Sequence, residues 1–187
     1  LEIYENVHEE YQKLLDRYEQ LKVEKEDVLG LIYEIDSKKK DCFMKTFKLL
    51  ERNFKEIFST LTKVGEAELV IENPDDIFDG GIGVRVKISG SKYVDMKSLS
   101  GGEKSLTALS FIFAIQEFEP SWFYLLDEVD AALDKRNSEL LSKLIAKYSN
   151  GSQYLVISHN DAVISEANAI YGMSMQNGVS KVVSLKI

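Results

Sequence analysis

Cysteine and long apolar runs are both scarce in this sequence. The single cysteine, Cys42, excludes an internal disulfide framework and is typical of a protein from a reducing compartment. No stretch approaches the roughly 20 consecutive apolar residues of a membrane-spanning helix, and the first residues lack a signal-peptide pattern. We therefore expect a soluble, intracellular chain without a membrane partner.

Basic residues are outnumbered, with 23 Lys and Arg against 31 Asp and Glu and a net charge of −8. Nonspecific DNA affinity depends on clustered Lys and Arg, so this balance argues against the isolated chain as a general DNA binder. The three lysines at 38–40 fit a solvated face better than a phosphate contact. Any contact with DNA must be local or supplied by partners.

The first 36 residues carry the pattern of a coiled-coil helix, in which apolar residues alternate at spacings of four and three with one break at Lys25. The seam comprises Tyr4, Val7, Tyr11, Leu14, Tyr18, Leu21, Val28, Ile32 and Ile35. An ordinary amphipathic surface helix is the alternative, but the narrow stripe between charged residues favours the coil. Because later segments offer no partner helix, we expect the partner on another segment or chain, and Leu1 looks like a cut end.

The heptad seam fails at residues 37–41, and an apolar stripe restarts one position displaced, from Phe43 to Leu61. We expect the helix to continue there and to bury four phenylalanines in a globular core. The predicted domains are residues 1–40, one arm of an antiparallel coiled coil, and residues 41–187, a globular lobe. With 44% hydrophobic residues and no repeats, the chain is long enough for one such core.

Short strands are predicted after this helix, at residues 66–72 and 83–89. Turn-forming Asn, Pro, Asp and Gly residues separate the two strands, and Gly90 ends the second. Residues 93–96 are a short third candidate. The sequence therefore predicts a small meander.

The stretch from Leu99 to Asp134 joins a glycine turn, an apolar helix, an apolar strand and a pair of carboxylates. Gly101 and Gly102 lack a Cβ and precede a helix that ends near Pro120. Backbone N–H groups can therefore face outward at the positive end of the helix, where phosphate is the natural ligand. The helix is apolar on most sides, so we expect it to be buried and to hold the turn rigidly.

Residues 122–126 are all large and apolar, which predicts a strand buried on both faces, and the run ends in Asp127 and Glu128. In phosphoryl-transfer enzymes one such carboxylate helps to hold Mg²⁺, and the next accepts a proton from the attacking water. The alternative is that both carboxylates only solvate the end of a strand.

An amphipathic helix at residues 137–149 and a second apolar strand at 154–157 follow. A strand, a helix and a strand in this order predict a parallel crossover, hence an α/β sheet core whose strand ends gather ligands. His159 lies just beyond the second strand. The tail predicts a hairpin, with strands at 171–176 and 179–187 joined by the two-residue turn Asn177-Gly178.

These motifs resemble the carboxy-terminal half of the ATPase head of the structural maintenance of chromosomes (SMC) family, which belongs to the ABC-type ATPases. Residues 99–105 (LSGGEKS) look like the signature motif, 123–128 (FYLLDE) like the Walker B strand, 132–134 (ALD) like the D-loop, and 156–159 (VISH) like the strand and histidine that follow. The tail resembles the closing strands of the family. The resemblance covers essentially the whole chain and implies an α/β lobe with a parallel core, flanking helices and a small antiparallel sheet.

The resemblance also implies ATP and Mg²⁺ as cofactors and a role for each motif. Asp127 would hold the metal, Glu128 would act as the general base, and His159 would approach the γ-phosphate. The cofactor-binding residues would be Leu99, Ser100, Gly101, Gly102, Glu103 and Asp134.

A Gly-x-x-x-x-Gly-Lys-Ser/Thr loop, which would cradle the β- and γ-phosphates, is absent from the sequence. In the SMC family that loop lies in the amino-terminal half of the polypeptide, which returns through the coiled coil to pack on this half. The family further implies that two heads enclose two ATP molecules, with Ser100 of one head reaching the nucleotide of the other. It also implies docking of a kleisin winged-helix domain near the tail hairpin and contact with chromosomal DNA through the assembled complex.

Two alternatives stay open from the sequence. A related coiled-coil ATPase of double-strand-break repair is harder to exclude than a transporter subunit, which more usually has Gln where Glu103 stands and lacks the heptads. The second alternative is a partner-docking module without activity of its own. We expect a cytoplasmic, nucleoid-associated protein if the source is prokaryotic, which is favoured, and a nuclear one if it is eukaryotic.

Overall fold

The computed structural model describes residues 2–88 and 92–185. Leu1, the end of the second predicted strand at Ser89 and Gly90, and the last two residues of the tail lie outside this range. The helices are α1 (Glu2–Thr62), α2 (Gly101–Phe118), α3 (Lys135–Tyr148) and α4 (Asp161–Ser165). The strands are β1 (Glu66–Ile71), β2 (Ile82–Lys87), β3 (Val94–Asp95), β4 (Phe123–Asp127), β5 (Gln153–Ile157), β6 (Ile170–Gln176) and β7 (Val179–Leu185).

The long helix α1 runs without interruption through residues 37–41, which confirms that the helix continues where the heptads fail. The chain divides between Phe47 and Lys48 into two compact units. Within the first unit every residue of the predicted seam is exposed, from 48% at Leu21 to 74% at Tyr4. The seam is therefore an apolar stripe that the rest of its unit leaves open to a partner helix.

The second unit takes its core from the end of α1 and from the sheet that follows. Phe54 and Phe58 are fully buried, and the ring of Phe54 packs edge-on against Phe111 of α2, with ring centroids 5.8 Å apart. Strands β1, β2 and β3 form an antiparallel sheet in that order, which is the meander that the sequence predicted. Of the four phenylalanines expected in the core, Phe43 is only half-buried.

Strands β4 and β5 pair in parallel with α3 between them, which confirms the α/β crossover. One face of this pair packs on α2, where the ring of Tyr154 stacks on Phe113 and its hydroxyl donates to the Gln116 side chain at 2.6 Å. Burial of the Tyr154 ring and the neighbouring Tyr124 raise the pKa of the Tyr154 hydroxyl. This face fixes the strands against the helices.

The opposite face of the β4–β5 pair is exposed, so the prediction of a strand buried on both faces is wrong. Phe123 and Leu125 are 64% and 63% exposed, and Leu155 and Ile157 of β5 are about half-exposed. Helix α2 also exposes apolar side chains, which corrects the expectation that it is buried on most sides. An apolar pattern indicates side chains that favour burial, but it does not show whether the surface that buries them belongs to the same segment.

The tail folds into the predicted hairpin, in which β6 and β7 pair antiparallel across Asn177-Gly178. Both turn residues have positive φ, 55° and 75°, as a type I′ turn requires. The short helix α4, capped by Asn160, was not predicted. In the part of the chain that the structure describes, no helix has the length and hydropathy to cross a membrane.

Candidate nucleotide site

The signature turn is built on the first residues of α2. Ser100 caps the helix with extended backbone, and the Glu103 carboxylate accepts two hydrogen bonds from it, one from the backbone N–H and one from the hydroxyl, each 2.8 Å long. These two bonds lower the pKa of Glu103, because they stabilise its ionised form. The arrangement belongs to a capping box, so Glu103 fixes the conformation of the turn.

The two glycines of the turn differ in what surrounds them. A Cβ on Gly102 would lie 2.8 Å from the backbone carbonyl oxygen of Ala132, so the absence of a side chain lets the turn pack on the loop after β4. A Cβ on Gly101 would meet nothing within 4 Å. Gly102 therefore has a packing reason within this chain, whereas Gly101 faces open space.

Leu99 precedes this turn and is 7% exposed. Its side chain is part of the core, so its burial helps to fix the start of the turn. Among the residues predicted to bind a nucleotide, Ser100 and Gly101 are the exposed ones at this helix end.

The paired carboxylates lie at the carboxyl end of β4, and both are exposed. Asp127 pairs in register with Ile157 of β5, and the next residue, Glu128, donates its backbone N–H to the Ile157 carbonyl at 2.9 Å. Glu128 has a φ of 45°, a conformation that costs about 1–3 kcal/mol in a residue with a side chain. The turn after β4 therefore stores backbone strain at the predicted base.

His159 follows β5 and faces the same edge of the sheet. Its Nε2 lies 3.5 Å from Oε1 of Glu128, and the two side chains are 90% and 55% exposed. An ion pair between such exposed groups contributes only about 0–1 kcal/mol, so attraction alone does not hold them together. The structure thus brings two predicted catalytic residues to one point, as the ends of neighbouring parallel strands allow.

Two residues that sequence reasoning missed join the same loops. Asp130 is 6% exposed, and its Oδ2 accepts a hydrogen bond of 2.6 Å from the Ser158 hydroxyl. The hydroxyl oxygen of Ser158 in turn accepts the backbone N–H of Asn160 at 2.9 Å. A lone Asp in a turn and a Ser before a His carry no signal by themselves, because polar residues are ordinary in such loops.

Asp134 caps α3, where its carboxylate accepts the backbone N–H of Asn137 at 2.8 Å. The residue is exposed. Because its side chain caps α3, it fixes the end of the loop that packs on Gly102.

A magnesium ion fits the donors at this edge. Mg²⁺ is usually held by one or two carboxylates together with substrate phosphates and water, and Asp127 offers an exposed carboxylate beside Glu128. Within residues 2–88 and 92–185, His, Cys, Asp and Glu form no group of three or more that could hold a metal without a substrate. Asp127 is therefore the residue at this edge that would hold a Mg²⁺ ion.

An open cavity of about 420 Å³ lies elsewhere, between α3 and α4, and is lined by mixed charges that include Lys135, Glu139 and Asp161. None of the predicted site residues lines it. Of the predicted site residues, Ser100, Gly101, Asp127, Glu128, Asp134 and His159 are exposed instead.

Several known proteins have similar sequences. The family described as RecF/RecN/SMC N terminal domain matches residues 5–181. The chromosome partition protein Smc of Pyrococcus furiosus is 46% identical over all 187 residues. The chain spans about 16% of the length of that relative.

Solved structures of SMC proteins are also similar to this chain in sequence and fold. The Smc head domain of Pyrococcus furiosus, with an extended coiled coil and bound to the C-terminal domain of ScpA, is 46% identical with a TM-score of 0.89 over 97% of this chain and 46% of that chain. A chain solved in work on ATP-driven dimerisation and DNA-stimulated activation of SMC ATPases is 47% identical, with a TM-score of 0.73 over 79% of this chain and 89% of that chain. The α/β fold is that of SMC heads, and the chain belongs to the RecF/RecN/SMC family as a part of an SMC head.

Proposed function

We propose that this chain is the carboxy-terminal half of an SMC ATPase head, with residues 1–40 forming a coiled-coil arm and 41–187 a lobe. The observation that carries the proposal is the meeting of Glu128 and His159, 3.5 Å apart at the ends of two parallel strands, directly after Asp127. A base, a hydrogen-bond donor and a metal ligand at one sheet edge form the catalytic end of a phosphoryl-transfer site.

The exposed face of the β4–β5 pair supports the assignment to half a head. Its large apolar side chains, among them Phe123 and Leu125, are open to solvent, as is the neighbouring Trp122 at 93%. Contiguous apolar patches on soluble chains mark interfaces, and a second lobe that carries the missing phosphate loop would cover this one. Binding of ATP therefore needs both halves.

The residues of this chain act at the γ-phosphate end of that nucleotide. Glu128 accepts a proton from the attacking water, and His159 donates a hydrogen bond to the charge that develops on the phosphoryl oxygens. Asp127 would bind the Mg²⁺ that neutralises the phosphates. The position of both side chains on an exposed edge leaves room for substrate between the halves.

Ser100 and Gly101 serve a different nucleotide. They lie at the amino end of α2, where backbone N–H groups and the helix dipole favour a phosphate. Their exposure leaves them open to a second molecule, and the resemblance to the SMC family is our reason for assigning them to the ATP of a second head. The work on ATP-driven dimerisation of SMC ATPases concerns a chain 47% identical to this one, which supports an ATP-dependent pair of heads.

The relatives support a proposal for the biological setting. Proteins named for chromosome partition in archaea and bacteria are 36–46% identical to this chain, which favours a prokaryotic SMC complex, nucleoid-associated in the cytoplasm, over a repair ATPase. Smc heads have been solved with ScpA, so we propose a kleisin of that kind as a partner. Chromosomal DNA would be organised by the whole complex.

Two substitutions in a complete head, with both halves present, separate these roles. Glu128→Gln keeps the size of the side chain but removes the base, which is worth about 10²–10⁴-fold in rate. ATP should still bind, hydrolysis should nearly cease and dimers should accumulate. Ser100→Arg places a bulky cation at the turn, so ATP should bind but dimers should not form.

Nucleotide affinity and light scattering in ATP measure both outcomes. If Ser100→Arg dimerises normally, the signature turn does not act on a second head. If Glu128→Gln hydrolyses ATP at the normal rate, Glu128 is not the base.

A further inference from the structure

The loops that carry Glu128 and His159 are joined by two hydrogen bonds. The first, from the Glu128 backbone N–H to the Ile157 carbonyl, continues the pattern of the sheet by one residue. The second joins side chains, because the Ser158 hydroxyl donates to the Asp130 carboxylate across 28 residues of sequence. Ser158 directly precedes His159, and Asp130 follows Glu128 by two positions, so this second bond lies immediately behind the predicted catalytic pair.

The geometry of this bond is that of a strong and directed one. Its O···O distance of 2.6 Å is short for a hydroxyl donor, and the acceptor Asp130 is 6% exposed, so water has little access to that carboxylate. The Ser158 oxygen already accepts the Asn160 N–H at 2.9 Å, which leaves the hydroxyl proton to point at Asp130. Asn160 is itself held as the cap of α4, through the Ala162 N–H at 3.0 Å.

The catalytic pair needs such support. Glu128 and His159 are exposed, their own attraction is weak, and the backbone of Glu128 is strained at a φ of 45°. A residue in that conformation keeps it only when its surroundings hold it. The hydrogen bond from Ser158 to the buried Asp130 is a second side-chain contact between the two loops, besides that of Glu128 with His159.

We infer that Asp130 and Ser158 are positioning residues that hold Glu128 and His159 in reach of the same γ-phosphate. The inference rests on the proposed ATPase function. Neither residue needs to touch the nucleotide, since they act through the backbone on either side of the reacting groups. Removing the bond should therefore slow hydrolysis while leaving ATP binding intact.

The test uses the complete head with four single variants and one double variant. Ser158→Ala and Asp130→Ala remove the bond, and each should lower kcat by about 10–100-fold, the usual effect of losing an orienting partner. Ser158→Thr keeps the hydroxyl and Asp130→Asn keeps an acceptor oxygen, so both should retain most of the activity. The dissociation constant for ATP should stay at the wild-type value in all of them.

The double variant distinguishes one shared bond from two independent effects. If both residues act through this bond, Asp130→Ala with Ser158→Ala should be no slower than the slower single variant. Three results would overturn the inference. The first is a fold-reduction in kcat for the double variant that equals the product of the two single-variant fold-reductions. The others are a wild-type kcat for Ser158→Ala, and a loss of ATP affinity that accompanies the loss of kcat. Glu128→Gln is the control for the proposed function, because continued hydrolysis in that variant would contradict the proposed function instead.

Discussion

At the scale of residues, the two glycines of the signature turn matter as well as the charged side chains. Gly102 lets the signature turn rest on the Ala132 carbonyl, while Gly101 has only open space beside it. The fold of this chain therefore requires the second glycine and gives no packing reason for the first. We expect the reason for Gly101 to be a ligand or partner that approaches the turn, such as the nucleotide of the proposed second head.

The two glycines form a matched pair for an experiment. Gly102→Ala forces the loop after β4 to move, and overpacking of this kind costs about 1–3 kcal/mol, so the melting temperature should fall. Gly101→Ala meets no neighbour, and alanine restricts the unfolded chain more than glycine does, so stability should be kept or slightly raised at this first residue of α2. Thermal unfolding of the two variants and the wild type measures the difference.

Although Gly101→Ala should keep the stability of the protein, it should impair ATP-dependent dimerisation. In the complete head, Gly101→Ala should fold normally yet weaken ATP-dependent dimerisation, because its Cβ would face the nucleotide of the other head. Equal melting temperatures for the two variants would mean that Gly102 does not pack as described. Normal dimerisation of Gly101→Ala would remove the turn from the interface.

At the scale of elements, the sequence predicted most of the fold because local patterns decide it. The α3 crossover, the parallel strands and the Asn177-Gly178 turn follow from periodicity and turn chemistry, which act over a few residues. The exposed face of β4 was mispredicted, because burial there depends on a surface that an apolar pattern cannot locate. The Ser158–Asp130 bond was missed for a similar reason, since its partners are 28 positions apart and only the fold brings them together.

The tail hairpin presents one apolar face that tests the proposed kleisin contact. Tyr171, Met173 and Met175 alternate along β6, and Val182 lies opposite Met173 on β7, all of them 63–76% exposed. Methionine is adaptable and suits a protein interface. Met173→Glu with Met175→Glu should therefore weaken capture of a kleisin winged-helix fragment by the complete head.

A matched control for the hairpin lies on the other unit of the chain. Tyr33 is 80% exposed on α1 outside the heptad seam, so Tyr33→Glu adds a negative charge, one against the two of the hairpin variant, and leaves the hairpin residues unchanged. Its capture of the kleisin fragment should match the wild type. Equal capture by all three proteins would remove the hairpin from the proposed interface.

At the scale of the whole molecule, the described residues expose apolar surface in two places besides the hairpin. The heptad seam of α1 is open along its length, and the β4 face exposes apolar side chains next to the catalytic edge. Each surface calls for another segment, and an amino-terminal half that carries both a returning helix and the phosphate loop would supply the two together. We expect a complete active site only when that half is present.

The most direct measurement is ATP binding and hydrolysis by this chain alone, and then with the amino-terminal head half of the same protein added. We predict no tight binding and no turnover by the chain alone, and recovery of both on mixing, with turnover lost again when the chain carries Glu128→Gln. Hydrolysis by the purified chain alone that disappears in the Glu128→Gln variant would contradict the account, since this chain would then hold a complete site. Failure of the mixed halves to bind ATP would contradict it as well.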